Sequence, residues 1–101
     1  MFFLYIIHSK TSDIYYIGYS TDPWKRLSQH NSEDHPTFTS KHRPWTLKAV
    51  FLIGNEEGTA IEIERYVKAQ HSKKLIQKLI DPLFVATGQL AQLVRVPHMG
   101  D

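Results

Sequence analysis

Two short apolar segments near the start of the chain predict a β-hairpin. Residues 2–7 and 14–19 are rich in aromatic and β-branched side chains and are too short for helices, so each is predicted to be a strand. The polar stretch between them has the composition of a turn. With a loop of residues 9–12, antiparallel pairing would put Tyr5 directly opposite Tyr16, with both phenols on one face of the hairpin.

A helix and a third strand follow the hairpin. Asp22 and Pro23 predict the start of a helix that ends near residue 31, because an acidic N-cap followed by proline favours helix initiation. After a polar loop, alternating apolar positions over residues 47–53 predict a strand. One face of this strand would carry Leu47, Ala49, Phe51 and Ile53.

Two further helices complete the prediction. One spans roughly residues 57–70, and Ser72 is the N-cap of another, which Asp81 and Pro82 end. The order β-β-α-β-α-α predicts an α+β fold, with a small three-stranded antiparallel sheet flanked by helices. Because the first two strands are apolar on both faces, we expect helices to cover both sides of the sheet.

Length and composition indicate one ordinary globular domain. The 101 residues are 42% hydrophobic and 22% charged, contain no cysteine and carry a net charge of +2. Disulfides and thiolate metal sites are therefore excluded, and we expect a cytoplasmic protein. The apolar start has no basic segment before it and is short, so we expect neither a signal peptide nor a membrane span.

The domain is predicted to cover residues 1–81, with residues 82–101 forming a tail outside it. The tail does not continue the pattern of helices and strands. The alternative is an amphipathic C-terminal segment in which Leu83, Phe84 and Val85 pack on the domain.

Glu64 is the least expected residue of the predicted second helix. At about 100° per residue, Ala60, Ile63 and Val67 form the buried stripe, and Glu64 falls within the same arc. An inward carboxylate is costly unless a cation or hydrogen-bond donors satisfy it. Two interpretations stay open. One is a salt bridge to a nearby lysine or arginine, and the other is a ligand of a hard cation such as Mg²⁺, which often binds through one carboxylate.

Polar side chains on the hairpin and the first helix have the chemistry needed to cut a phosphodiester. Arg26 and His30 are spaced i, i+4 at the rim of the helix's apolar stripe, where they are either solvated or face a cleft. In a cleft, the guanidinium would stabilise a phosphate and the imidazole would relay a proton. Tyr5 and Tyr16 are either core aromatics or groups that deprotonate water, which a phenol does only beside positive charge. Gly18 would either let another backbone or a phosphate approach closely or mark a β-bulge.

Basic residues cluster at two further places. The loop before the third strand carries Lys41 and Arg43, and the outer face of the last helix carries Lys73 and Lys74. Both clusters would bind the backbone phosphates of a nucleic acid. For the two lysines, the alternative is an ordinary solvated helix face.

Taken together, these residues resemble the GIY-YIG nuclease superfamily. The resemblance covers residues 2–80 in order and spacing, and it is carried by Leu4-Tyr5-Ile6, Tyr16-Ile17-Gly18, Arg26, His30 and Glu64. In particular, the chain is similar to small stand-alone bacterial members related to the nuclease domain of excinuclease C. One departure is the first half-motif, which reads Phe3-Leu4-Tyr5 instead of Gly-Ile-Tyr.

The resemblance implies a divalent-metal-dependent endonuclease that hydrolyses DNA phosphodiester bonds, in DNA repair or recombination. The residues that it implies to be catalytic are Tyr5, Tyr16, Arg26, His30 and Glu64. Glu64 would also hold Mg²⁺ or Mn²⁺, and Gly18 would be the structural glycine of the second half-motif. Because the additional DNA-binding domain of larger members is missing from this sequence, we expect recognition of DNA structure more than of base sequence. The main alternative is a nucleic-acid-binding module of the same fold that has lost turnover, and a more distant one is a structural or interaction domain.

Overall fold

The computed structural model describes residues 1–32 and 38–97, which form an antiparallel sheet with helices packed against it. In chain order the elements are β1 (Phe2–Ser9), β2 (Ile14–Ser20), α1 (Pro23–Ser32), β3 (Trp45–Gly54), α2 (Glu57–Ala69), α3 (Lys73–Ile80) and β4 (Val94–Arg95). Segments of 3₁₀ helix lie at Thr39–His42 and Gly88–Leu90. The predicted α+β class is confirmed. The sheet formed by the described residues has four strands in the order β2-β1-β3-β4, so the prediction of three strands is wrong.

The fourth strand comes from the predicted tail. β4 pairs with β3 at the sheet edge opposite β2, and the nearby Leu90 and Leu93 are buried in the core. Phe84 also packs against this core, whereas Leu83 and Val85 are exposed. A strand of two residues is too short to leave an alternating pattern in the sequence, which is why it was missed.

Arg95 ties the tail to the end of α3. Its Nη2 donates to the carbonyl oxygens of Leu79 at 2.5 Å and Asp81 at 2.8 Å. A helix leaves its last carbonyls without intrahelical partners, and a cation at this end is favourable. Residues 82–97 of the tail therefore pack on the domain, while the predicted boundary at residue 81 stays a prediction.

Each face of the sheet has its own apolar core. Successive strand residues point to opposite faces, so β1 supplies Leu4 and Ile6 to one core and Tyr5 and Ile7 to the other. α2 and α3 cover the first face, and α1 lies against the second. The prediction that helices cover both sides of the sheet is confirmed.

A β-bulge in β3 turns one side chain to the other face. Two consecutive residues of β1 pair with Ala49 and Leu47, which leaves Lys48 as an extra residue on β3. Leu47 consequently lies in the core on the α1 face, whereas Ala49 and Phe51 lie in the core on the α2 face. The prediction that these three residues share one face is wrong, because alternation does not continue through a bulge.

The hairpin pairs in a register two residues away from the predicted one. Tyr5 lies opposite Gly18 and not opposite Tyr16, because residues 10–13 form the turn instead of residues 9–12. A shift of two residues preserves the faces, so both tyrosines still belong to the core on the α1 face. They are diagonal neighbours instead of direct partners.

The predicted caps begin α1 and α3. Asp22 Oδ1 accepts a hydrogen bond from the Lys25 amide at 3.0 Å, and Ser72 Oγ accepts one from the Leu75 amide at 3.0 Å. Each cap satisfies an amide that the first turn of a helix leaves unpaired. Within the described parts of the chain, none of the helices has the length and apolar character needed to cross a membrane.

Candidate active site

Tyr5 and His30 form a buried hydrogen-bonded pair. Tyr5 Oη and His30 Nε2 are 3.0 Å apart, and the two residues are only 1% and 4% exposed. β1 supplies the phenol, and α1 supplies the imidazole. The expectation that His30 lies at the rim of the helix's apolar stripe is wrong, because α1 packs this side chain against the sheet.

Gly18 leaves room for the Tyr5 side chain. A β-carbon at position 18 would lie 2.5 Å from Tyr5 Oη and 2.7 Å from Cζ, which is too close for real atoms. Because Gly18 lacks this carbon, the Tyr5 ring lies across β2, an edge strand of the sheet. A close approach at Gly18 was predicted, and among the described residues the approaching group is the Tyr5 side chain instead of another backbone.

Several hydrogen bonds fix the end of α1 that carries His30. Asn31 donates from Nδ2 to the Trp45 carbonyl at 3.1 Å, and its Oδ1 accepts from the Trp45 amide at 2.7 Å. Arg43 Nε donates to the His30 carbonyl at 2.7 Å, and Trp45 Nε1 donates to the Thr39 carbonyl at 2.7 Å. Arg43 therefore helps to position His30. The sequence interpretation missed this role and that of Asn31, because neither carries a local signal.

Tyr16 connects the buried pair to the α2 side of the site. Its ring centroid lies 5.1 Å from that of His30 and 6.2 Å from that of Trp45. Phe38, which is 55% exposed, stacks on the same ring at 6.4 Å. Lys68 Nζ, from α2, lies 5.5 Å from the ring centroid.

Glu64 is partly buried and pairs with Lys68 on the same helix. Glu64 Oε1 and Lys68 Nζ are 3.2 Å apart, and the two side chains are 23% and 47% exposed. The salt-bridge interpretation of Glu64 is therefore correct for this structure. It does not exclude a cation ligand, since an ion pair this open to solvent contributes only about 0–1 kcal/mol. The metal-binding role of Glu64 stays a prediction.

The surroundings of the Tyr5 phenol both raise and lower its pKa. Burial raises the pKa of Tyr5 well above its ordinary value, and the neighbouring Tyr16 adds to the rise. The Arg26 guanidinium lowers the pKa, by its charge and by hydrogen bonding, and Glu64 raises it. Arg26 Nη1 also donates to Gln29 Oε1 at 3.0 Å. The net direction is upward, so Tyr5 is a neutral phenol at physiological pH.

Cavities border the Glu64–Lys68 pair. One of 380 Å³ is lined in part by Lys68 and Lys73, and one of 420 Å³ is lined in part by Glu64 and Lys68. Lys73 therefore lies near the site, and like Lys41 and Lys74 it is exposed. Nucleic-acid binding by these lysines and by Arg43 stays a prediction.

A model of a known protein family matches most of the chain. The family model of the GIY-YIG catalytic domain matches residues 1–78 of the 101 residues. The chain belongs to the GIY-YIG family. This match confirms the predicted superfamily, whose domains are typically nucleases, whereas the resemblance to excinuclease C stays a prediction. A search of curated proteins found no match.

The GIY-YIG fold brings the predicted catalytic residues into one connected set. The contacts described above link Tyr5, Tyr16, Arg26, His30 and Glu64. Their catalytic roles stay predictions. Lys68, which joins Glu64 to Tyr16, was missed, although its i, i+4 spacing from Glu64 is a signal that could have found it.

Proposed function

We propose that this GIY-YIG domain is a divalent-metal-dependent endonuclease that hydrolyses DNA phosphodiester bonds. The observation that carries the proposal is the buried Tyr5–His30 hydrogen bond, with the Arg26 guanidinium beside the same phenol. The pair is suited to moving a proton and the guanidinium to holding a phosphate, whereas a passive binding module needs no buried proton acceptor. Membership of the family supports the same class of reaction.

Glu64 is the residue that would hold Mg²⁺ or Mn²⁺. Across residues 1–32 and 38–97, no three His, Cys, Asp or Glu side chains lie close enough together to hold a metal ion by themselves. A single carboxylate still fits Mg²⁺, because this ion keeps several waters and takes further ligands from a substrate phosphate. When bound, the cation would stabilise negative charge on the leaving-group oxygen.

His30 is the final proton acceptor in the proposed reaction. A phenolate at Tyr5 is disfavoured, because burial raises the pKa of this phenol. With His30 Nε2 unprotonated, the Tyr5 hydroxyl donates its proton to Nε2 while its oxygen accepts a proton from the attacking water. The water oxygen then attacks phosphorus in line, and the bond from phosphorus to the leaving-group oxygen breaks with its electron pair on that oxygen. The proton ends on the imidazole, and no free phenolate is needed.

Arg26 and Tyr16 complete the proposed site. The guanidinium presents parallel N–H donors to the phosphate oxygens, on which charge grows during the attack. The Tyr16 ring packs edge-on against His30 and so restricts the orientation of the imidazole.

The proposed substrate is DNA recognised by its structure more than by its base sequence. The backbone phosphates would be bound by Lys41, Arg43, Lys73 and Lys74. Such contacts position a duplex but do not distinguish one base sequence from another. A small domain offers little surface for base edges, so a role in repair or recombination, as in the excinuclease C type, fits best. A cytoplasmic location belongs to the same proposal.

The test is a cleavage assay on labelled linear, flapped and branched DNAs with Mg²⁺, Mn²⁺ or EDTA. Glu64→Ala removes the proposed cation ligand, so we expect cleavage to fall by about 100-fold or more. DNA affinity in EDTA should hold or rise, because a negative charge near phosphate is lost. Glu62→Ala is the matched control, since it makes the same change at an exposed position of α2 and should leave cleavage intact.

Two results would contradict the proposal in different ways. Wild-type cleavage by Glu64→Ala would remove the metal role from Glu64. Tight DNA binding by the wild-type chain, with no cleavage of any substrate in either cation, would favour the non-catalytic binding module.

A further inference from the structure

Lys68 joins the parts of the site that α2 and β2 supply. Its Nζ lies 3.2 Å from Glu64 Oε1 and 5.5 Å from the centre of the Tyr16 ring. Both groups attract positive charge, the first as a carboxylate and the second through the face of its ring. The ammonium is thus held between two residues of the candidate active site.

The position of this ammonium bears directly on cation binding. A carboxylate oxygen that accepts a hydrogen bond from an ammonium is not free to ligate a hard cation with the same lone pair. The two positive charges would also repel each other at such short range. Resting on the function proposed above, we propose that Lys68 competes with the divalent cation for Glu64 and leaves the carboxylate when the cation binds.

The surroundings of Lys68 allow this exchange. Its side chain is 47% exposed, and it borders both the 380 Å³ and the 420 Å³ cavity. The flexible four-carbon stem lets the ammonium move without a change in the backbone of α2. Once released, the ammonium is available to a DNA phosphate, so phosphate binding and cation binding favour each other.

This coupling has a thermodynamic consequence. DNA that binds Lys68 frees Glu64 for the cation, and a cation that binds Glu64 frees Lys68 for DNA. By linkage, each ligand must raise the affinity of the other by the same factor. Lys68 therefore keeps the cation affinity of the free domain low and reserves tight binding for the complex with substrate.

Nuclear magnetic resonance during a Mg²⁺ titration of the wild-type chain reads the exchange directly. The Hε protons of Lys68 sense the ring current of Tyr16, so their signals move when the ammonium leaves the ring. We expect the Lys68 Hε and Glu64 side-chain signals to shift together along one binding curve. Glu64→Gln should remove both shifts.

Substitutions at position 68 measure the competition. Lys68→Met keeps the length of the side chain and removes the charge, so Mg²⁺ should bind about three- to tenfold more tightly. Lys68→Arg keeps a cation beside the carboxylate and should return the affinity to within about twofold of wild type. Lys73→Met is the matched control, because Lys73 lines the same 380 Å³ cavity but lies 3.8 Å from Asp13 instead. Lys73→Met should change the Mg²⁺ affinity by less than about twofold.

The outcomes separate this inference from the proposed function. Glu64 signals that shift with Mg²⁺ while Lys68 stays in place would overturn the competition and leave Glu64 as the cation ligand. Unchanged Mg²⁺ affinity in a folded Lys68→Met variant would do the same. An absence of Glu64 shifts in every variant would overturn both proposals. The wild-type titration needs no substitution, so a variant that fails to fold leaves the test decisive.

Discussion

The two sides of the GIY-YIG site are held in place by different kinds of contact. On the α1 side, Tyr5 and His30 are almost fully buried, and Asn31 and Arg43 tie the end of the helix to distant parts of the chain. On the α2 side, Glu64 is partly exposed and is held by an ion pair within one turn of its own helix.

In the function proposed above, the buried side would move the proton, and the more exposed side would admit the ion and the DNA. Removing one partner of a buried hydrogen bond costs about 1–3 kcal/mol, whereas an exposed ion pair contributes about 0–1 kcal/mol. Substitutions on the α1 side should therefore lower both stability and cleavage. Substitutions on the α2 side should lower cleavage with little change in stability.

The largest effect on the rigid side is expected from Tyr5→Phe. The ring still fills its place, but His30 Nε2 loses the hydroxyl, so we expect a stability loss of about 1–2 kcal/mol. Cleavage should fall by about 10²- to 10⁴-fold, because the proton route is lost. Urea unfolding and single-turnover cleavage of the same preparation measure the two effects.

Tyr15→Phe is the matched control for this prediction. It makes the same chemical change in the same hairpin, but Tyr15 packs on the opposite face of the sheet. We expect cleavage at the wild-type rate. If Tyr5→Phe also cleaved at the wild-type rate, the phenol would have no part in the reaction.

Gly18→Ala should have the next largest effect. The new β-carbon would overlap the Tyr5 hydroxyl, so the phenol has to move away from His30. We expect a stability loss of about 1–3 kcal/mol and cleavage about 10- to 100-fold lower. In Gly58→Ala, the added carbon meets no atom within 4 Å, so this control on α2 should be neutral or up to about 1 kcal/mol more stable. Equal losses in both variants would mean that the effect does not pass through Tyr5.

The pH dependence of cleavage distinguishes two roles for Tyr5. Because burial raises the pKa of Tyr5, a phenolate base predicts cleavage that rises tenfold per pH unit to about pH 10 and beyond. The relay through His30 predicts a plateau once its imidazole is neutral, with no further rise as the pH approaches the range in which a phenol ionises. We expect the plateau, measured by single-turnover cleavage at saturating Mg²⁺. A continuous rise would instead make the phenolate the base.

The smallest effects concern Lys41 and Arg43, which sequence analysis placed in one DNA-binding loop. Lys41 is exposed, so Lys41→Gln should weaken DNA binding a few-fold and reduce the slope of affinity against salt by about one. Arg43 donates to the His30 carbonyl, so Arg43→Gln should also lower stability by about 1 kcal/mol and slow cleavage. Salt titrations, unfolding and cleavage compare the two variants. Identical behaviour would contradict the positioning role of Arg43.

The sequence by itself determined the three helices, the first three strands and most of the reactive groups. Asp22 and Ser72 begin helices where predicted, because a cap is a contact between residues three positions apart. The α+β class follows from the order of such local patterns. The sequence also predicted that Glu64 lies on the inward side of its helix, because helix geometry fixes the direction of each side chain by its position in the sequence.

Only the tertiary structure decided how these parts meet. The turn at residues 10–13, the bulge at Lys48 and the pairing of β4 depend on contacts between distant segments, which no local pattern records. The same is true of His30. Its position in the helix predicted a place at the rim of the apolar stripe, but α1 buries it against Tyr5. The register of a strand pair and the packing of a helix depend on the contact energy between two segments that are far apart in the sequence. A local sequence pattern describes only one of these two segments.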